Sequence, residues 1–322
     1  MSFQIFSKKG AALVFAAACF LAGGLEANAQ TLVVDKPATM NVAERNNVYC
    51  AGYVQTSPVD TGTKIIGATE EQEQFFYVQN NDVWINSGAD KGVKVGDKLS
   101  VFRPRGTVKS KWSKKGDLGF LVQEVGALEV IRVNSDHSIA RVRTSCDKLL
   151  LGDLVQPLEA RTSPVANPRP ALDRYADPSG KATGRLIFGR DGYEMFGRDQ
   201  IVYIDLGAED NVKIGDYVTI FRPLGKGHVL KSNSSEAVEA RVSDFGSGAF
   251  KGSEFSNQAP RKSGERARGS VVSEADAKEG RPDNLRKVVG EAVVLNVKER
   301  TATVVITRTA QEIVTGDWVE VQ

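Results

Sequence analysis

The chain has 322 residues, 25% of them charged and 41% hydrophobic, with a formal net charge of +2. A near-neutral balance argues against a dedicated nucleic-acid binder, whose footprint is a strong basic excess, and the length suits about two domains, each with apolar residues enough for its own core. Two histidines and three cysteines leave little material for a metal cluster or a histidine-centred catalytic site, and 31 glycines against 11 prolines fit a turn-rich folded chain better than a disordered linker.

Taken in order along the chain, residues 1–29 read as a cleavable signal peptide. Lys8 and Lys9 form a positive start, Ala11 to Ala22 is a short apolar run, and Ala27-Asn28-Ala29 supplies a small-x-small cleavage pattern, with Gln30 as the mature N-terminus. That run is shorter than the roughly 20 residues a bilayer span needs, and no later segment is more apolar. An exported, periplasmic protein with no transmembrane segment in its mature chain is expected. Cys19 follows Ala16-Ala17-Ala18 without the leucine of a lipobox and precedes more apolar residues, so lipoprotein anchoring is not expected. Residues 30–48 form a lead-in.

Cys50 and Cys146 remain after the leader, and in an oxidising compartment the pair is most simply a disulfide, with two buried free thiols as the alternative. Closing so long a loop would contribute on the order of 4–5 kcal/mol in the chain-entropy picture.

Residues 49–159 form a first module, and its pattern returns. Trp84 to Gly106 aligns without gaps with Tyr203 to Gly225, sharing V-K-[VI]-G-D and F-R-P-x-G, and Gly126 to Val155 aligns with Gly290 to Val319. One module used twice is the reading. Apolar and polar residues alternate at Leu99 and Val101, at Ala140 and Val142, at Val218 and Ile220, and at Val293, Leu295 and Val297, the period of half-buried strands. Gly96-Asp97, Gly152-Asp153, Gly215-Asp216 and Gly316-Asp317 each precede an apolar strand. Glycine permits positive φ there and the aspartate can accept from amides of its own turn, so these are expected to be structural turns rather than metal or catalytic carboxylates. Few amphipathic helical stretches compete with this pattern. The fold class is therefore all-β: two tandem small antiparallel β-barrel or sandwich modules.

Residues 160–182 hold four prolines and are expected to link the modules. The second module, 183–322, differs from the first mainly between Gly225 and Gly290, where the first runs only from Gly106 to Gly126. This insertion, about 226–288, is poor in apolar residues and is expected to be disordered. It carries a basic cluster at Arg261, Lys262, Arg266 and Arg268, which, with Phe102, Arg103, Phe221 and Arg222 of the two F-R-P tripeptides, makes up the candidate partner contacts. For the tripeptides a core phenylalanine with arginine on the rim is the competing reading. For the cluster it is a solvated loop.

The hydrolase, zinc-protease, redox and phosphate-loop signatures G-x-S-x-G, H-E-x-x-H, C-x-x-C and G-x-x-x-x-G-K-[ST] do not occur. His137 falls in a hairpin turn and His228 opens the insertion, and neither has a ligand-spaced partner. No catalytic residue, metal or cofactor is expected, and no nucleic-acid partner.

The arrangement [YW]-[IV]-x-x-G-x4-[VL]-x-x-G-D-x-[FLV]-x-[IV]-[FY]-R, carried by Trp84 to Arg103 and Tyr203 to Arg222 and completed by the turns at Gly152 and Gly316, resembles the C-terminal β-module of flagellar assembly protein T. It is also similar to a module that follows LysM domains in bacterial envelope proteins. The resemblance implies a periplasmic, non-enzymatic β-module in an envelope assembly. The leading expectation is thus a structural or interaction protein docking on an envelope protein complex. Binding of peptidoglycan or another envelope polysaccharide is the second, and a hydrolase the third.

Overall fold

The computed structural model describes residues 40–43, 48–224 and 281–322, which belong to one compact unit starting at Met40. The first half contains seven strands, β1 (Tyr53–Gln55), β2 (Ile65–Ala68), β3 (Asp82–Ile85), β4 (Lys98–Lys109), β5 (Asp117–Val133), β6 (Ser138–Ser145) and β7 (Leu154–Pro157). The sheet order is β2-β3-β6-β5-β4-β7, antiparallel throughout, with β1 added on β5. Its two ends meet: Lys64 bridges Leu154, and the Ile65 amide donates to the Asp153 carbonyl at 2.9 Å.

The second half contains β8 (Thr183–Gly189), β9 (Met195–Phe196), β10 (Ile201–Ile204), β11 (Tyr217–Pro223), β12 (Arg286–Val297), β13 (Ala302–Thr309), β14 (Ile313–Val314) and β15 (Trp318–Val321). Here β10-β13-β12-β11-β15-β8 is a closed barrel, and β9 pairs with β14. Strand for strand, this is the order of the first sheet. The architecture is all-β, as expected: the second half is a closed barrel, and the first is a sheet brought round to a barrel-like closure by the Lys64–Leu154 bridge. Most of the expected insertion, 225–280, lies outside the described residues. Its expected end at 288 is too late, because Arg286 already pairs with Pro223 and starts β12.

Alternation explains which side chains face inward. In β6, Ser138, Ala140 and Val142 are buried while Arg141 is partly exposed and Arg143 exposed. Closing six short strands demands strong coiling, and bulges supply it. They fall at Ala127/Leu128 and Val130/Arg132 in β5 and at Glu291/Ala292 and Val294/Asn296 in β12. Gly126 and Gly290 let the neighbouring strand approach β5 and β12 closely. A Cβ at Gly290 would meet the Arg308 carbonyl at 2.8 Å, and one at Gly126 would run into the Thr144 carbonyl. Each barrel closes over its own apolar core, one around Ile65, Val83, Val101, Leu128 and Val142, the other around Leu186, Val202, Ile220, Val294 and Ile306.

Among the described residues the halves differ most in the length of β4 and β5. β4 and β5 run past the first barrel as a two-stranded arm, and β1 lies along the outer edge of β5 through Tyr53↔Val122 and Gln55↔Phe120. The disulfide Cys50–Cys146, with Cα atoms 5.5 Å apart, ties the chain entering β1 to the end of β6. The 160–182 segment is no free tether. Val165 bridges Asn41, the Arg174 carbonyl accepts from Val288, and Arg169 stacks on Tyr217 with its charge 3.3 Å from Glu291.

Candidate interaction surface

The four Gly-Asp turns share one geometry. Gly96, Gly152, Gly215 and Gly316 have φ of 90°, 86°, 91° and 89°, the left-handed region that favours glycine. One oxygen of each aspartate accepts from the amide three residues earlier: Lys94, Leu150, Lys213 and Val314, at 2.8 to 2.9 Å. Asp153 and Asp317 do more. Both are buried, and Arg103 and Arg222 clasp them bidentately, at 2.8 and 2.8 Å and at 2.6 and 2.9 Å. Hydrogen bonding to these carboxylates holds both guanidiniums above the ordinary arginine range. The arginine of each F-R-P tripeptide is therefore committed to the later Gly-Asp turn of its own half. Phe102 and Phe221 are buried as well. Phe102, Arg103, Phe221 and Arg222 are thus all engaged within the fold. Arg261, Lys262, Arg266 and Arg268 lie outside the described residues.

The outer faces of the two halves divide sharply. Directly paired positions across the second barrel read Ile201–Val305–Val293–Tyr217. The same row of the first barrel reads Asp82–Arg141–Glu129–Lys98. Arg141 clasps Asp82 at 2.8 and 2.9 Å, and Arg143 pairs with Glu129 at 2.8 Å. The apolar row is covered: Ala43, Val48 and Ala51 pack on Ile201, Val293, Leu295 and Val305. The charged row faces solvent beside a depression of about 420 Å³ lined by Tyr49, Lys98, Glu129, Arg143, Thr144 and Leu158.

The cover of the second barrel comes from the first. The Tyr203 hydroxyl donates to the Ala51 carbonyl at 2.8 Å, Thr303 to Gly52 at 3.0 Å and Thr301 to Val54 at 2.9 Å. Burial pushes the Tyr203 phenol far up, so it stays a donor. Val54 and Leu118 of the first half join Ile187 and Tyr203 of the second in one apolar cluster. At the tip of the arm, Lys115 reaches Asp210 at 2.5 Å and Glu209 at 2.6 Å, and Arg300 donates back to the Lys115 and Asp117 carbonyls. Trp112 lies over Gly316 so closely that a Cβ there would stand 2.6 Å from its ring. Glu124 anchors the strap: it accepts from Gly52 N at 3.0 Å and from Arg161 at 2.6 Å. Burial raises its carboxyl, and the Arg161 charge and the Gly52 amide oppose that rise.

The matching face of the first barrel has no such cover among the described residues. The Gly152 amide donates to Ile65 as the Gly316 amide does to Leu186, which fixes the correspondence. Ile66 is 48% exposed and its counterpart Ile187 only 5%. Beside it, the bridge Tyr77–Leu149 brings together two segments whose flanks are apolar and open. Phe75 is 95% exposed, and Phe76, Val78, Leu150 and Leu151 are all exposed too. His137, in the β5–β6 turn, contacts Asp136 and Asn134, each at 2.7 Å. Among the described residues no group of three or more His, Cys, Asp or Glu side chains could hold a metal, and no helix is long and apolar enough to cross a membrane.

Residues 80–154 match the family model for the C-terminal domain of flagellar assembly protein T. The match runs from just before β3 to the first residue of β7, so it takes in the charged row, the arm and the Gly152 turn. No curated protein matches the chain.

Proposed function

We propose that this chain is an exported, non-enzymatic periplasmic protein that docks on a cell-envelope assembly of the flagellar type, using two copies of one β-module locked together by an arm. The observation that carries this reading is the exposed apolar cluster around Gly152, on the half that matches a flagellar assembly domain. A contiguous apolar surface on a folded protein marks contact with another protein. The fold itself does not need it. Counting outward from the equivalent bridges Tyr77–Leu149 and Phe196–Ile313, the positions of Phe75, Val78 and Leu151 are held in the second barrel by Glu194, Gly197 and Thr315.

Two copies are supported by the common strand order, the matched bulges and the shared Arg–Asp clasp. Export is supported by the leader-like residues 1–29 and by the disulfide, a bond that persists in oxidising compartments. Osmotic-shock fractionation, followed by chemical crosslinking in the periplasm, tests the reading. The chain is expected in the shock fluid and in a crosslinked complex with an envelope-assembly protein. Residence in the cytoplasm overturns it, and so does salt-sensitive retention on purified sacculi with no protein crosslink.

A further inference from the structure

The two barrels present the same platform, and in one of them its occupant is visible. Around Gly316 the glycine and Ile187 are covered, while Glu194, Met195 and Gly197 stay exposed: Trp112 lies on the glycine, Leu118 and Val54 lie on Ile187, and Lys115 fixes the hairpin by its charge. Around Gly152, whose backbone has the same left-handed φ, a Cβ would meet nothing within 4 Å. Among the described residues, the surface that Trp112 takes on the second barrel stands open on the first, where Leu151 replaces Thr315.

We infer that the Gly152 face receives an aromatic side chain at the tip of a β-hairpin from a partner protein, seated as Trp112 is seated on Gly316. The inference rests on the docking function proposed above and specifies the chemistry of its partner. Charge is not part of the match: the position of Asp210, which holds Lys115, is Lys91 in the first barrel, and Lys148 lies over the Phe76 ring. The partner hairpin is therefore specified by its aromatic side chain. A second copy of this chain is not the occupant argued for, because its own Trp112 hairpin is engaged on its own second barrel.

The test uses a disulfide-stapled hairpin peptide with the sequence of Lys109–Asp117, added to the full chain. Hydrogen exchange is read at Ile65–Gly67 and Leu149–Gly152. Protection of those segments is expected with the tryptophan peptide and not with its tryptophan-to-alanine version. Affinity should fall at least tenfold in an Ile66→Lys, Leu150→Lys, Leu151→Lys chain, whose charged side chains occlude the exposed face around Gly152. A Trp112→Ala chain, which frees the Gly316 platform, shows that the peptide is competent. Peptide that binds the freed Gly316 platform but leaves Gly152 unprotected overturns the inference. Concentration-dependent self-association of the wild type, lost in the triple variant, also overturns it by making a second copy the occupant. A periplasmic crosslink that persists when the peptide fails leaves the docking function in place and removes only the aromatic hairpin.

Discussion

Asp97 and Asp317 occupy the same kind of turn, yet they carry different burdens. Asp97 is half-buried and serves one amide of its own turn, whereas Asp317 is fully buried and also neutralises Arg222. Asp97→Asn should cost about 1 kcal/mol in denaturant unfolding, the scale of one net hydrogen bond. Asp317→Ala should cost about 3 kcal/mol, because it strands a half-buried guanidinium. The turns were legible from Gly-Asp before an apolar run. The clasp was not, because Arg103 and Asp153 are 50 positions apart and only barrel closure brings them together. Glu124 shows the same limit, since nothing local marks a glutamate in β5 as the anchor for Gly52 and Arg161. Arg161→Ala should destabilise by about 3–5 kcal/mol at neutral pH. With the arginine gone, the folded-state carboxyl rises still further above its unfolded value. The stability linked to protonating it is then present below the ordinary glutamate range and lost as pH rises through the folded value. The variant's deficit should therefore shrink on acidification toward about pH 4, as equilibrium unfolding at several pH values would register.

At the scale of elements, the arm decides how the halves are joined. Tyr203→Phe keeps the ring in the Val54–Leu118–Ile187 cluster and removes only the donor to Ala51, so a loss of about 1–3 kcal/mol is expected from the unpaired carbonyl. Reducing the Cys50–Cys146 bond frees the strap that enters β1, and a loss of about 2–4 kcal/mol is expected by thermal unfolding with and without reductant. Strands and hairpins of both halves could be read from alternation and from repeated glycines. The face each strand turns to its neighbour could not, although the information was present. Asp82, Arg141, Glu129 and Lys98 against Ile201, Val305, Val293 and Tyr217 distinguish an open wall from a covered one. Recognising the difference requires the pairing register, which no single segment carries.

For the whole molecule, two barrels of one topology have been given different exteriors. The second is sheathed by the strap, the 160–182 segment and the Trp112 hairpin. The first keeps a charged wall and, beside it, the apolar platform at Gly152. Repetition of sequence made the halves look interchangeable, and the open platform emerges only when equivalent positions are compared for what lies on them. The central claim is that this platform is where the molecule meets its partner. Site-specific photo-crosslinking in the native cell tests it most directly, with the photoreactive residue placed at Phe75 and, as a control, at Arg141 on the charged wall. The account predicts a discrete adduct to an envelope-assembly protein from position 75 and none from position 141. Equal labelling from both positions, or an adduct from position 141 alone, would contradict it.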